Sequence, residues 1–239
     1  MRLDDPELVR LEYASEERLA LRAAIWREWV EGPRPEDVAF AAIAEVAPES
    51  VFEVGCGPGG FAARVASELG AHVVAVDLSP RMVELARSRG VDARLGDVLE
   101  LELPDGGFDC AVANWVLYHV PDIDRALAEL VRVLKRGGYL IAATFAECNL
   151  PELWEFLCDP VRRVLAFSRE NGADVLRRHF ASVETQPVDT TVVFPDRDSV
   201  LRYVAATVTR HDRADRVPRF DGPLRASGSY AVFVARTAR

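Results

Sequence analysis

The chain has 239 residues, 49% of them hydrophobic, and 29 Lys plus Arg against 38 Asp plus Glu give it a formal charge of −9. A chain of this length holds about one domain with an elaboration and buries roughly 70% of its unfolded surface, so no disulfide is needed to hold it together. A net negative charge repels phosphate backbones and anionic lipid heads and argues against nucleic-acid and membrane partners unless positive charge is segregated; residues 196–225, with seven Arg against five Asp, hold a surplus of only two.

Residues 7–31 carry an amphipathic helical pattern closed by Gly32-Pro33-Arg34-Pro35, and a second helix is predicted over 36–46. The period then changes. Apolar segments of strand length at 51–54, 72–76, 91–95, 108–113 and 139–145 alternate with helical stretches at 59–69, 80–89 and 122–135, the last with Gly137-Gly138 as its C-cap. Such alternation, with β-branched strands, predicts a parallel sheet covered on both faces by helices, an open doubly wound α/β domain. Beyond Phe145 the pattern predicts a helix over 151–167, another over 171–180 leading into a strand at 182–194, and a final strand at 229–236. The interval 195–227, helical over 196–209, is too long for a hairpin turn and reads as an insertion over the sheet edge. The expected organisation is a helical lid at 1–48, a binding core at 49–146 and, at 147–239, the rest of the sheet with its cap, all within one domain.

Cys56, Cys110, Cys148 and Cys158 form no C-x-x-C pair and no metal-ligand grouping with His72, His119, His179 or His211, and read as reduced thiols with no metal site. Residues 1–7 are acidic and lack an apolar stretch, and runs such as 139–146 fall far short of the ~18 residues that span a bilayer. The expectation is a cytoplasmic protein, monomeric or a homodimer.

The most informative stretch is Val51-Phe52-Glu53-Val54-Gly55-Cys56-Gly57-Pro58-Gly59-Gly60-Phe61, a strand, a glycine turn and a helix start. Glycines at 55, 57 and 59 permit positive φ and let a ligand approach the backbone at a helix N-terminus, where open α/β sheets bind their ligands. Gly55, Gly57 and Gly60 also satisfy G-x-G-x-x-G, with Asp77 following, so spacing alone leaves a dinucleotide open. Charge decides against it. Glu53, two residues before Gly55, would repel a pyrophosphate by roughly 1–4 kcal/mol and would welcome a cation.

Here the sequence resembles the class I S-adenosylmethionine-dependent methyltransferases, within them the broad small-molecule group that includes quinone, sterol and natural-product methylating enzymes. The resemblance covers residues 50–146. It is carried by E-V-G-C-G-P-G-G from Glu53, A-V-D-L-S-P-R-M ending at Met82, L-G-D-V ending at Val98, A-N-W-V-L-Y-H-V-P-D from Ala113, and L-K-R-G-G-Y-L from Leu134. It implies a Rossmann-like, seven-stranded, mostly parallel sheet with an antiparallel last strand, and S-adenosyl-L-methionine as cofactor with S-adenosyl-L-homocysteine as product.

Residue by residue, the resemblance implies that Glu53, Gly55, Cys56, Gly57 and Gly59 form the methionine-binding loop together with Asn114 and Trp115. Asp77, at the end of the second strand, is placed to accept hydrogen bonds from both ribose hydroxyls, with a helix cap as its plainer reading. Leu78 and Met82 flank the adenine, although Met82 equally suits the core. Gly96-Asp97-Val98 supplies a carboxylate and a backbone N–H to the adenine, or else a simple turn. His119 matches a histidine common in the family and serves as a general base or as a positioning residue for its loop.

On the first helix, Tyr13, Trp26 and Trp29 provide aromatic surface, and Arg18 and Arg22 share one face. The expectation is that this helix closes over the cofactor, with Tyr13 or Arg22 near its carboxylate. Methyl transfer by in-line displacement needs alignment and exclusion of water, effects worth ~7–11 kcal/mol, and a base only where the acceptor loses a proton. After the fourth strand the chain reads Asn114-Trp115-Val116-Leu117, without the Pro-Pro-aromatic sequence of enzymes acting on nucleobase or amide nitrogens. Residues 115–122 hold no Glu for a protein-arginine site. A small organic acceptor remains, with an NAD(P)-dependent oxidoreductase and a non-catalytic S-adenosylmethionine-binding module as the alternatives.

Overall fold

The structure, a computed structural model, describes residues 3–13, 16–157, 164–207 and 210–238. The side chains of Arg18 and Trp26, together with Cys158 and Thr209, lie outside the described residues. The N-terminal pattern forms two helices, α1 (Pro6–Glu12) and α2 (Glu16–Glu28), in place of one continuous helix over 7–31. The break has a tertiary cause: the Tyr13 carbonyl, at the end of α1, accepts from Ser79 Oγ at 3.0 Å and its hydroxyl meets His119, so the chain turns toward the sheet. A two-residue strand β1 (Val30–Glu31) and helix α3 (Pro35–Val46) follow.

The alternating region is as its period predicts: β2 (Ser50–Val54), α4 (Gly60–Leu69), β3 (His72–Asp77), α5 (Pro80–Ser88), β4 (Asp92–Leu95), β5 (Phe108–Asn114), α6 (Ile123–Val133) and β6 (Leu134–Phe145). Local chemistry sets the helix starts: Ser79 accepts from the Met82 N–H with Pro80 as the next residue, and Asp122 accepts from the Arg125 N–H at 3.1 Å. Helix α6 ends four residues before the predicted Gly137-Gly138 cap, because the Gly106 and Gly107 N–H groups take the carbonyls of Arg132 and Val133, and Leu134 turns extended into the strand.

Beyond the core come α7 (Pro151–Phe156), α8 (Gly172–Arg177), β7 (Ser182–Phe194), α9 (Arg197–Ala206), a 3-10 turn at His211–Arg216 and β8 (Leu224–Arg236). Helix α7 covers the start of the 151–167 prediction, of which residues 158–163 lie outside the described residues. Residues 164–171 are irregular, held by Asn171, whose Oδ1 accepts from the Ser168 N–H and whose Nδ2 donates to the Leu165 carbonyl. Strand β8 begins five residues earlier than expected, since every residue of β7 pairs with it.

Among the described residues the sheet has eight strands in the order β1-β7-β8-β6-β5-β2-β3-β4: the seven expected plus β1 at one edge. The central pairs are parallel, β8 runs antiparallel to both neighbours, and β1 pairs antiparallel with β7. One face is sealed by α6 and α8 through Leu127, Leu130 and Leu176, the other by α3, α4 and α5 through Ile43, Val65 and Val83. Each such fully buried side chain contributes about 1.5–3 kcal/mol of burial. A third cluster, with Leu150, Trp154, Phe194, Val200 and Tyr203, lies under the cap segment between β7 and β8. Strand order reverses at β2, flanked by β3 and β5, so the crevice opens at the carboxyl ends of β2 and β5.

Candidate active site

At the end of β2 the chain leaves the sheet through Gly55, whose N–H donates to the Val76 carbonyl at 2.8 Å with φ at +66°. A Cβ on Gly55 would stand 2.6 Å from Val116 Cγ2, so the loop abuts the segment after β5 too closely for a side chain. The Gly57 N–H donates to Asp77 Oδ2 at 2.8 Å, and the Ser79 N–H donates to Asp77 Oδ1 at 2.8 Å. Asp77 thus ties the glycine loop to the start of α5. Burial raises its pKa, and the two N–H groups oppose that rise. The helix cap itself is Ser79.

Glu53 is 3% exposed, and its Oε2 has no hydrogen-bond partner in the protein. Removal from water, reinforced by the Asp77 charge, lifts its pKa to about 8, against which the Ala62 N–H acts weakly. Asn114, at the end of β5, is also buried, and neither atom of its amide is satisfied. Unsatisfied buried polar groups each cost about 1–3 kcal/mol and are rare away from functional sites. The Cys56 thiol lies beside the two acids, and burial first, then their charge, pushes its pKa up, so it stays protonated.

The other expected cofactor contacts are distributed unevenly. Leu78 is 58% exposed at the crevice, whereas Met82 is fully buried in the core and presents no surface to a ligand. The Gly96 N–H donates to the Asp77 carbonyl at 3.1 Å, which sets the end of β4 beside that of β3. Asp97 Oδ1 accepts from the Leu99 N–H at 2.9 Å, and the Val98 side chain is buried in the core. Gly59, with φ at +78°, is the residue before α4 and packs on α5.

After β5, Trp115 adopts a left-handed conformation with φ at +61°, which costs a non-glycine residue on the order of 1–2 kcal/mol. It is held there by its N–H on the Ala143 carbonyl at 3.0 Å and by an edge-on Tyr230 ring with centroids 5.7 Å apart. His119 closes the 3-10 turn Leu117–His119. Its Nδ1 lies 2.7 Å from the Leu3 carbonyl and its Nε2 2.9 Å from the Tyr13 hydroxyl. A carbonyl only accepts, so Nδ1 carries the proton in the neutral ring and Nε2 accepts from the Tyr13 O–H. Arg22 donates to the Ala206 carbonyl at 2.8 Å and joins α2 to the end of α9.

Behind Trp115 and His119 lies a cavity of about 270 Å³. Its walls come from the N-terminal helices (Tyr13, Leu19, Arg22), from β6 and the segment after it (Phe145, Asn149, Trp154), and from the cap and β8 (Tyr203, Arg210, Tyr230). Neither the glycine loop nor Asp77 lines it. Sequence reasoning missed Arg34, Glu36, Arg210 and Tyr230. The signal that could have found Tyr230 is its place in register with Phe145 at the same end of the sheet as Asn114.

The family model described as a methyltransferase domain matches residues 52–142. The malonyl-[acyl-carrier protein] O-methyltransferase of Serratia marcescens is 32% identical over 195 residues, covering 78% of this chain and 72% of that protein. Among solved structures, a possible histamine N-methyltransferase from Thermotoga maritima superposes with a TM-score of 0.61 at 23% identity, over 95% of this chain and 99% of that one. The Burkholderia thailandensis 1,6-didemethyltoxoflavin-N1-methyltransferase, solved with S-adenosylhomocysteine, superposes with a TM-score of 0.58 at 23% identity, over 98% and 88%. The chain belongs to the class I S-adenosylmethionine-dependent methyltransferases, which sets aside the oxidoreductase and binding-module alternatives.

The residues present fit that cofactor. A buried carboxylate oxygen and a buried amide, both without protein partners, suit an ammonium group, and the space above Gly57 is open to 3.7 Å, where Leu19 begins. Among the described residues no helix is long and apolar enough to cross a membrane.

Proposed function

We propose that the protein methylates a small organic acceptor held behind Trp115 and His119, in quinone or natural-product metabolism. The observation that carries this is the cavity: its 270 Å³ falls just below the roughly 300–1,000 Å³ of small-molecule sites, and its walls include the rings of Tyr13, Trp115, Tyr118, Phe145, Trp154 and Tyr230. Residues 1–48 act as a lid, 49–146 as the cofactor-binding core, and 147–239 complete the sheet and cap the acceptor.

In this reading Glu53 and Asn114 take the cofactor's ammonium with the Gly55 loop beneath it. Asp77 takes the ribose hydroxyls on the lone pairs left by its two backbone bonds, and Leu78 and Asp97 border the adenine. When bound, S-adenosylmethionine would supply an electrophilic methyl group on a sulfonium whose leaving group is a neutral thioether. The protein's part is alignment, exclusion of water by the lid and, where the acceptor is an O–H or N–H, proton removal. That proton passes to the Tyr13 oxygen as the phenol gives its own to His119 Nε2, a route the 2.9 Å contact provides. Arg22 and Tyr13 border the cofactor's carboxylate.

Incubation with methyl-labelled S-adenosylmethionine and a panel of quinols, phenols and amines is expected to label one small product; label carried only by nucleic acid or protein would overturn the reading. Asp77→Ala is expected to weaken S-adenosylmethionine binding at least tenfold, about 1.4 kcal/mol by calorimetry. His119→Gln is expected to lower kcat about 100-fold or more and flatten its pH profile while S-adenosylhomocysteine affinity stays unchanged, with Tyr13→Phe giving a comparable loss because it removes the same relay. A fall in affinity with kcat intact would make the pair a lid fastening and nothing more.

A further inference from the structure

We propose that the methyl acceptor is an aromatic compound bearing a basic amine, held as an ammonium by the Glu36 carboxylate while the group that receives the methyl lies toward Tyr13 and His119. The inference deepens the methyltransferase reading and rests on it. Glu36 stands in the first turn of α3, a helix fixed to the sheet by the buried Ala39, Ala42 and Ile43, and it lines the cavity. The other charged side chains of the lining are already engaged: Arg22, Arg34, Glu147 and Arg210 each have protein partners. Glu36 is exposed to solvent and, among the described residues, forms no ion pair.

The neighbours of Glu36 do not neutralise it. Enclosure by protein raises its pKa, the Trp115 side chain opposes that rise, the Asp37 charge adds to it, and Arg34 and Arg64 offset it through charge alone. Of these two cations, Arg64 is turned to Asp37 at 2.7 Å and to Glu68 at 3.2 Å, and Arg34 has its own partner. A carboxylate offers about four lone-pair sites on its two oxygens, so the adjoining indole leaves most of them for a guest. An ammonium there makes a charge-assisted bond and relieves an unpaired, partly desolvated charge. A neutral arm forgoes that bond, and an anionic one is repelled.

The aromatic wall links this carboxylate to the proton route. His119 and Tyr118 have ring centroids 4.3 Å apart, Tyr118 and Phe145 4.6 Å, Phe145 is the cross-strand partner of Tyr230, and Tyr230 meets Trp115 at 5.7 Å. Burial raises the Tyr230 pKa and the Glu36 charge adds to the rise, which sets the two groups near each other. The row of rings therefore runs from Tyr13 and His119 to Glu36. A flat guest packs along it, and an ammonium at its Glu36 end also comes within reach of the Trp115 and Tyr230 rings, whose π-systems attract a cation.

Calorimetry on the full chain saturated with S-adenosylhomocysteine tests this with tyramine, 4-ethylphenol and 4-hydroxyphenylacetate, phenols whose side arms are cationic, neutral and anionic. Tyramine is expected to bind about tenfold or more tightly than 4-ethylphenol, and the acid more weakly than either. Glu36→Gln should bring tyramine down to the affinity of 4-ethylphenol while leaving those of 4-ethylphenol and S-adenosylhomocysteine unchanged. The ranking of the three phenols on the wild-type chain stands as a test whether or not the variant folds. Binding of 4-ethylphenol or the acid as tight as that of tyramine, no binding of tyramine to a protein that holds S-adenosylhomocysteine, retention of the preference in Glu36→Gln, or an equal loss there of tyramine, 4-ethylphenol and S-adenosylhomocysteine overturns the proposal. Failure of the wild-type chain to bind S-adenosylhomocysteine removes instead the methyltransferase reading on which it stands.

Discussion

Glu53→Gln is expected to stabilise the ligand-free protein and to weaken S-adenosylmethionine binding, two effects of opposite sign from one residue. The Glu53 pKa rises from 4.5 to about 8 on folding, so between those values the folded chain holds a proton that the unfolded chain has released. Stability is therefore lost as pH rises through that window, by about 1.4 kcal/mol per pH unit, and at pH 7 the wild-type carboxyl costs on the order of 3 kcal/mol that glutamine avoids. Chemical denaturation at pH 5 and pH 7 checks this: the variant should gain stability at pH 7 and little at pH 5.

Cofactor affinity should move the other way. An ammonium beside Glu53 favours the ionised carboxylate, so binding expels its proton, and wild-type affinity should rise by up to tenfold per pH unit toward pH 8. Asp77 and the Cys56 thiol face the same space, and the thiol's raised pKa keeps it out of this range. In Glu53→Gln the slope should flatten and the affinity at pH 8 should fall at least tenfold. Calorimetry in buffers of different ionisation enthalpy counts the released proton directly. Unchanged proton release in the variant would assign the linkage to another group.

How much of this site is legible in sequence depends on how local its chemistry is. The glycine loop, Glu53 and Asp77 lie within 25 residues and follow from strand, turn and helix periods, and the structure sets Asp77 against Gly57 within 2.8 Å. The Tyr13–His119 contact joins residues 106 apart, and only the fold shows that the N-terminal segment crosses the crevice. Arg210 is less legible still: in sequence it is one of seven arginines in a mixed-charge stretch, and its burial on Trp154 depends on how the cap packs over α7. Met82 errs in the other direction. The motif that names it is correct in spacing, while the side chain turns into the core.

Gly59 and Gly60, adjacent in sequence and equal as letters in the motif, should respond oppositely to alanine. Gly59 holds φ at +78°, and a Cβ there would lie 2.6 Å from Ala86 Cβ and 2.8 Å from Ala86 Cα. Neither atom is the free end of a flexible side chain, so α4 and α5 must separate. Left-handed strain of about 1–2 kcal/mol and overpacking of about 1–3 kcal/mol together predict a loss of roughly 3 kcal/mol for Gly59→Ala. Moving α5 also shifts Ser79 and with it the Asp77 contact, so cofactor affinity should fall along with the melting temperature. Gly60 opens α4 with nothing within 4 Å of where a Cβ would stand and no positive φ, so Gly60→Ala should be neutral or stabilising by up to about 1 kcal/mol through the unfolded chain. Thermal melts of the two variants, with and without S-adenosylhomocysteine, separate the roles: equal destabilisation would mean that the loop tolerates no side chain at either position, and that the contact between α4 and α5 is not what requires glycine at 59.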